Sequence, residues 1–256
     1  MKGFLRLIPH IIVALFSLTA CVTQEVEDNN RLGNFDSLWR VLDEHYCFFD
    51  YKKEVYGLDW NKVRDTYRPR ISEAMNNKQL FEVLSNMTYE LRDGHVNLSA
   101  AHNVSRYGRW FDDYPMNQSD SLERIYLGRA EDYQQAGGLK YRILKNNVGY
   151  VRCTTFEYNF GDGNLQEMMR YLATCDRLVI DVRSNGGGML TAAEKLASLF
   201  INEETVVGYM CHKTGKAHDA FSAAEPIRMK PFVGLRWQRE VYVLTNRRTY
   251  SAANSF

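Results

Sequence analysis

The chain is short of net charge. Its 32 Lys and Arg residues face 31 Asp and Glu, leaving +1 at neutral pH. No Lys/Arg-rich block concentrates charge locally, so the electrostatic footprint of a nucleic-acid binder is missing. No apolar run is long enough to cross a bilayer. The 5 cysteines form no CxxC pair and no Cys/His cluster with ligand spacing, which argues against a zinc site. A run of three glycines lacks both the Lys-Ser/Thr of a phosphate loop and the spacing of a dinucleotide fingerprint. There is no internal repeat and no low-complexity tract. These absences leave an ordinary folded protein with no signal for a zinc site or a nucleotide cofactor.

What is present begins at the N-terminus. Lys2 and Arg6 precede the apolar stretch LIPHIIVALFSL, which closes in LTAC at Cys21. Small residues before a cysteine, directly after such a stretch, resemble a bacterial lipoprotein signal, which makes Cys21 the lipidated first residue of the mature chain. An ordinary cleaved signal peptide is the alternative. The acidic stretch TQEVEDNN then reads as a tether. The division expected is 1–21 as signal, 22–33 as tether, 34–97 as a helical module and 98–256 as the core. After export four cysteines remain. Cys153 and Cys175 lie on apolar stretches and read as buried thiols, and disulfide pairing stays open.

From Asn34 the periodicity is helical. Phe35, Leu38, Trp39, Leu42 and Tyr46 recur at three- and four-residue intervals behind Asn34 as N-cap. A second helix opens at Asp59 with Trp60, Val63, Tyr67 and Ile71 on one face, and Pro69 predicts a kink or an early end. NKQLFEVLSNMTYEL is a third, its aromatic and apolar stripe reading as core. Residues 98–140 are polar and turn-rich and predict an excursion or a pair of short strands, too short for a domain such as PDZ. Beyond them KYRILKNNVGYVRCTTF reads as a hairpin turning at Asn146–Asn147. NLQEMMRYLATC and MLTAAEKLASLF read as helices, and RLVIDVR, TVVGYMCHK and EVYVLTN as strands. That alternation predicts an α/β fold with a largely parallel central sheet.

Three stretches carry candidate chemistry. LRDGHVNL places His95 just beyond a helix end, where a structural histidine is the plain alternative. VIDVRSNGGGML runs a buried strand into Gly186, Gly187 and Gly188 and then into a helix, a place where backbone N–H groups turn outward to meet an anion or oxyanion. VLTNRRTYSAANSF sets Ser251 at a strand–turn–helix junction. That is the setting of an exposed nucleophile, and equally of an N-cap serine.

Taken in this order, ELRDGHVNL, VIDVRSNGGG and VLTNRRTYSAANSF resemble the S41 family of serine peptidases, which includes C-terminal processing proteases and tricorn-type cores. Their combination with a helical N-terminus resembles the lipoprotein members common in Bacteroidetes, and the resemblance covers about residues 34–256. It implies a crotonase-like ββα-spiral core with Ser251 as nucleophile. The oxyanion amides would come from Gly187, with Gly186 as second choice, and from Ala252. The base would be His95, with a Glu partner not found here, or else a lysine beyond Phe256. The chain is therefore expected to be the N-terminal part of such an enzyme, inactive by itself. The resemblance further implies an envelope-anchored lipoprotein acting on peptides or protein tails, outer-membrane-bound and facing the periplasm or the surface. A non-catalytic binding protein of the same fold and an esterase using the same serine are the rivals.

Overall fold

The computed structural model describes residues 28–256. The expected signal, Cys21 and most of the tether lie outside the described residues. Among the described residues no helix is long and apolar enough to cross a membrane.

Four helices come first: α1 (Arg31–His45), α2 (Phe49–Tyr56), α3 (Trp60–Tyr67) and α4 (Asn77–Tyr89). The cap of α1 is Asn30, whose side chain accepts from the Gly33 amide at 2.8 Å, and Asn34 lies inside the helix. The expected start at Asn34 is thus four residues late, because Asn30, inside the stretch read as tether, satisfies the free amides first. Asp59 caps α3 as expected, and a 3₁₀ turn at Arg68–Arg70, carrying Pro69, ends it. α2 was not expected. Phe35, Tyr46, Phe49, Trp60, Val63, Tyr67, Met87 and Leu91 form the core of this module, so the helical stripe read from the sequence is packing surface.

The excursion holds a hairpin, β1 (Asn97–Ala100) with β2 (Asn103–Arg106), and a short helix α5 (Asp120–Tyr126). β3 (Gln134–Ala136) then leads into β4 (Leu139–Leu144) and β5 (Val148–Arg152). Asn146 and Asn147 turn the β4–β5 hairpin with φ of 60° and 56°, the left-handed pair that such a tight turn requires. There follow α6 (Asp162–Leu172), β6 (Arg177–Asp181), α7 (Leu190–Ala197), β7 (Thr205–Met210), β8 (Glu225–Met229), β9 (Val241–Leu244) and α8 (Ala252–Ser255).

The central sheet runs β3-β4-β5-β6-β9, antiparallel across its first two pairs and parallel across β5-β6 and β6-β9. It is more mixed than expected, for one reason. β7 does not join it but pairs with β8 in a separate antiparallel ribbon, so the strand expected to widen the parallel sheet leaves it. Leu139, Val151, Leu165, Met168, Leu172, Leu178, Ile180 and Leu196 are fully buried between the sheet and its helices. Cys153 and Cys175 are buried free thiols, as read from their surroundings, and Cys47 and Cys211 are exposed and free.

α1 ties the module to the core. Asp43 and Glu44 of α1 meet His218 at 2.9 Å and Lys216 at 2.8 Å. Tyr46 donates to Asp93 at 2.8 Å, just ahead of His95. The side chains expected to do chemistry all lie where β6 and β9, neighbours and parallel, release their carboxyl ends. That is where parallel sheets form their sites.

Candidate active site

β9 ends in a turn whose conformation is dictated by its own side chains. Asn246 accepts from the Arg248 amide through Oδ1 at 3.0 Å, and Thr249 Oγ1 receives the Asn246 amide at 3.0 Å and donates to Val182 O at 2.9 Å. The Tyr250 amide then bonds to Asn185 O at 3.0 Å. So braced, the chain swings into Ser251 at φ 55°, ψ −129°, a strained conformation for a residue with a Cβ. Ser251 makes no side-chain cap to α8, so the capping alternative fails. Its Oγ instead lies 3.1 Å from His95 Nε2.

His95 reaches that point through an Asp-Gly turn. The Asp93 carboxylate accepts the His95 amide at 2.8 Å through Oδ1 and the Tyr46 hydroxyl through Oδ2. Lys52 braces the same turn by donating to Arg92 O at 3.0 Å. The imidazole remains 59 % exposed, open to an incoming molecule. On its far side Nδ1 is 2.6 Å from Tyr250 Oη and 3.5 Å from Asp93 Oδ1. Tyr250 lies between His95 and Trp110, each ring centroid 4.5 Å away and 22° from parallel. Gly94 allows this closeness, for a Cβ there would stand 2.8 Å from Trp110 and 2.9 Å from Tyr250 Oη. Burial and the charge of Asp93 push the Tyr250 phenol up to about 12, against a weaker pull from Arg106.

The glycine loop abuts the serine from the other side. Gly187 adopts φ 94°, and a Cβ on it would sit 2.7 Å from both Ser251 Cβ and Tyr250 O. Its carbonyl accepts the Phe156 amide at 2.8 Å, and its own amide donates to Asn185 Oδ1 at 2.9 Å. The amide expected first for the oxyanion is therefore already engaged. The Gly186 and Ala252 amides have no hydrogen-bond partner among the described residues, so Gly186 takes precedence over Gly187 on availability. Under the loop, Asp181 is fully buried against Arg152 and Arg183 at 2.6 Å each, and Tyr150 donates to it at 2.6 Å. Burial opposes its charge, but Arg183, Tyr150 and Arg152 outweigh that and hold its carboxyl below the usual range.

A 420 Å³ hollow opens between α7, the β7–β8 ribbon and the end of α8. Leu190, Val207, Met210, Ile227 and Phe256 line its apolar walls. No group of His, Cys, Asp and Glu among the described residues is placed to hold a metal.

His95, Ser251, Ala252 and the glycine loop are thus brought together, as the sequence suggested. Tyr250, Asp93, Trp110 and Asn185 were missed. Asp93 and Tyr250 adjoin the residues singled out, but nothing local marks them as partners of an imidazole.

Residues 147–256 match peptidase family S41, and residues 27–88 match the tricorn protease C1 domain. A carboxyl-terminal-processing protease of Picosynechococcus sp. is 30% identical over 107 residues, which is 41% of this chain but only 23% of that protein's length. The crystal structure of a candidate peptidase from Parabacteroides merdae is 39% identical, with a TM-score of 0.81, covering 89% of this chain and 71% of that one. Mature CPAF in complex with lactacystin shares the fold at a TM-score of 0.61 and 10% identity, over 89% of this chain and 81% of that one. With a parallel-strand site built on a strained serine and a relative this similar over most of both chains, the protein belongs to peptidase family S41.

Proposed function

We propose that this is a serine peptidase of the cell envelope, cleaving peptides or protein tails by acyl transfer to Ser251. The observation that carries the reading is the 3.1 Å approach of His95 Nε2 to Ser251 Oγ, on a serine whose backbone strain serves no capping purpose. A serine hydroxyl is a poor nucleophile unless a positioned base removes its proton.

In this reading Ser251 Oγ attacks the scissile carbonyl while its proton passes to His95 Nε2. The oxyanion is received by the Ala252 amide and a glycine amide of the 186–188 loop, with Gly186 free to donate. The imidazolium returns the proton to the leaving amine, and water then hydrolyses the acyl-enzyme by the same route. The hollow at the end of α8, with Leu190, Val207, Met210, Ile227 and Phe256 in its wall, supports a peptide substrate, since it could receive an uncharged side chain. No step needs a cofactor. Anchoring through a lipid on Cys21 would place this chemistry at a membrane surface.

The sequence leads us to expect a chain inactive by itself; with His95 Nε2 already 3.1 Å from Ser251 Oγ we expect the opposite. The test is covalent labelling of Ser251 in this chain by a fluorophosphonate, located by peptide mass spectrometry. Labelling should vanish in Ser251→Ala and fall by about two orders of magnitude or more in His95→Ala. Equal labelling rates in wild type and His95→Ala would remove His95 from the role of base.

A further inference from the structure

His95 presents one ring nitrogen to a serine and the other to a phenol. Tyr250 Oη, at 2.6 Å, is the nearer oxygen to Nδ1. Asp93 Oδ1 stands off at 3.5 Å, and both Asp93 oxygens already accept hydrogen bonds, from the His95 amide and from Tyr46. The Tyr250 ring is pinned between His95 and Trp110 and closed in by Gly94, so its hydroxyl has little room to turn away.

A neutral imidazole carries a single N–H, so it must donate through one nitrogen and accept through the other. If Nδ1 holds the proton, Nε2 is free to accept from Ser251. If Nε2 holds it, Nδ1 accepts from Tyr250 and the ring donates to Ser251 Oγ. Two facts decide between these arrangements. The phenol keeps its proton, being raised to about 12, and it has no acceptor other than Nδ1 among the described residues. A phenol O–H is also a better donor than an imidazole N–H, and a bare imidazole nitrogen a better acceptor than a phenol oxygen.

We propose that Tyr250 is a positioning residue that donates its hydroxyl to His95 Nδ1, leaving the ring proton on Nε2 and holding the imidazole in a resting tautomer that cannot take the proton of Ser251. The competent tautomer forms when that proton moves from Nε2 to Nδ1, by exchange with solvent that the exposed ring permits. Nδ1–H then faces the Asp93 carboxylate, and Nε2 accepts from Ser251. Nothing is gained or lost in the exchange. The hydrogen-bond assignment does not depend on the reaction, while its catalytic meaning rests on the acyl-transfer reading above.

Two-bond proton–nitrogen correlation spectra of the full ¹⁵N-labelled chain read the tautomer directly, at about pH 8.5 where an imidazole is neutral. The His95 signals are identified by their loss in His95→Ala. The wild type should show a protonated Nε2 and a bare Nδ1. Tyr250→Phe, which keeps the ring stack, should move the proton to Nδ1 and raise the rate of fluorophosphonate labelling of Ser251 by about two- to tenfold, the range one neutral hydrogen bond sets. A wild-type spectrum with Nδ1 protonated overturns the proposal whatever the variant does. So does a Tyr250→Phe variant with native near-ultraviolet circular dichroism whose tautomer is unchanged or whose labelling slows. If the tautomer changes as expected while neither protein is labelled, the tautomer assignment is upheld and the acyl-transfer reading falls.

Discussion

Asn246 and Ser184 grip each other across two loops. Asn246 Oδ1 accepts the Ser184 amide at 2.8 Å, and its Nδ2 donates to Ser184 Oγ at 3.0 Å. One side chain thereby fixes the turn before the serine to the loop that leads to the glycines. Asn246→Ala removes both bonds, together with the one from the Arg248 amide, and leaves the Ser184 and Arg248 amides without their acceptor. We expect a loss of about 2 kcal/mol in denaturant unfolding and slower Ser251 labelling. Undiminished stability would mean that the loops do not depend on this tie.

Gly187 and Gly163 should respond in opposite ways to alanine. At Gly187 a Cβ collides with Ser251 and the backbone of Tyr250, and φ is 94°. Gly187→Ala should abolish labelling and lower the melting temperature. Gly163 sits in α6 with open space out to 4 Å around the point a Cβ would occupy, so alanine there should stabilise by roughly 0.5–1 kcal/mol. Labelling that survives in Gly187→Ala would show that the loop can retreat from the serine.

Asp181 sets a pH dependence of stability. Its carboxyl is held below the unfolded value, so its contribution is complete above about pH 4 and is lost as pH falls through the folded value. Asp181→Asn leaves Arg152 and Arg183 facing a neutral amide and should cost about 3 kcal/mol at neutral pH. The gap between wild type and variant should narrow toward about pH 2. Urea titrations across that range, showing a constant gap, would contradict this account.

For the anchor, the expected outcome is direct. Cells fed a clickable fatty acid should label the wild-type chain and not Cys21→Ala, which should be released in soluble form. Retained label in the variant would rule out lipidation at Cys21.

The sequence was most legible where signals are local. The Asn146–Asn147 hairpin, the Asp59 cap and the stripe from Phe35 to Tyr46 each depend on residues within a few positions of one another, and each formed as expected. α2 was missed because FDYKKEVY has no side-chain cap at its start and is too short to show a period. β8 was missed because EPIRM carries a proline, tolerable only in a ribbon at the edge. With β8 unseen, β7 had no apparent partner outside the central sheet. In the site, the glycine run and Ser251 are marked by their own stretches. The contacts of His95 with Tyr250 and Ser251 span 155 and 156 positions, and no period or motif reports a pairing over that distance. Asn185 escaped notice for a different reason. Its side chain competes for the very amide the glycine pattern offers, and a pattern read from spacing does not record which donors are already taken.

The Tyr46–Asp93 bond gives the site a lifetime as well as a geometry. His95 stands on a turn held by the helical module, through Tyr46 and Lys52, whereas Ser251 stands on the sheet. The two halves of the candidate site therefore belong to different hydrophobic cores, and each core opens at its own frequency. Ser251 faces its imidazole only while both are closed at once. Amide hydrogen exchange should accordingly show the Arg92–Val96 turn protected to the level of α1 and α4, and the fraction of assembled sites should follow whichever core is the less stable.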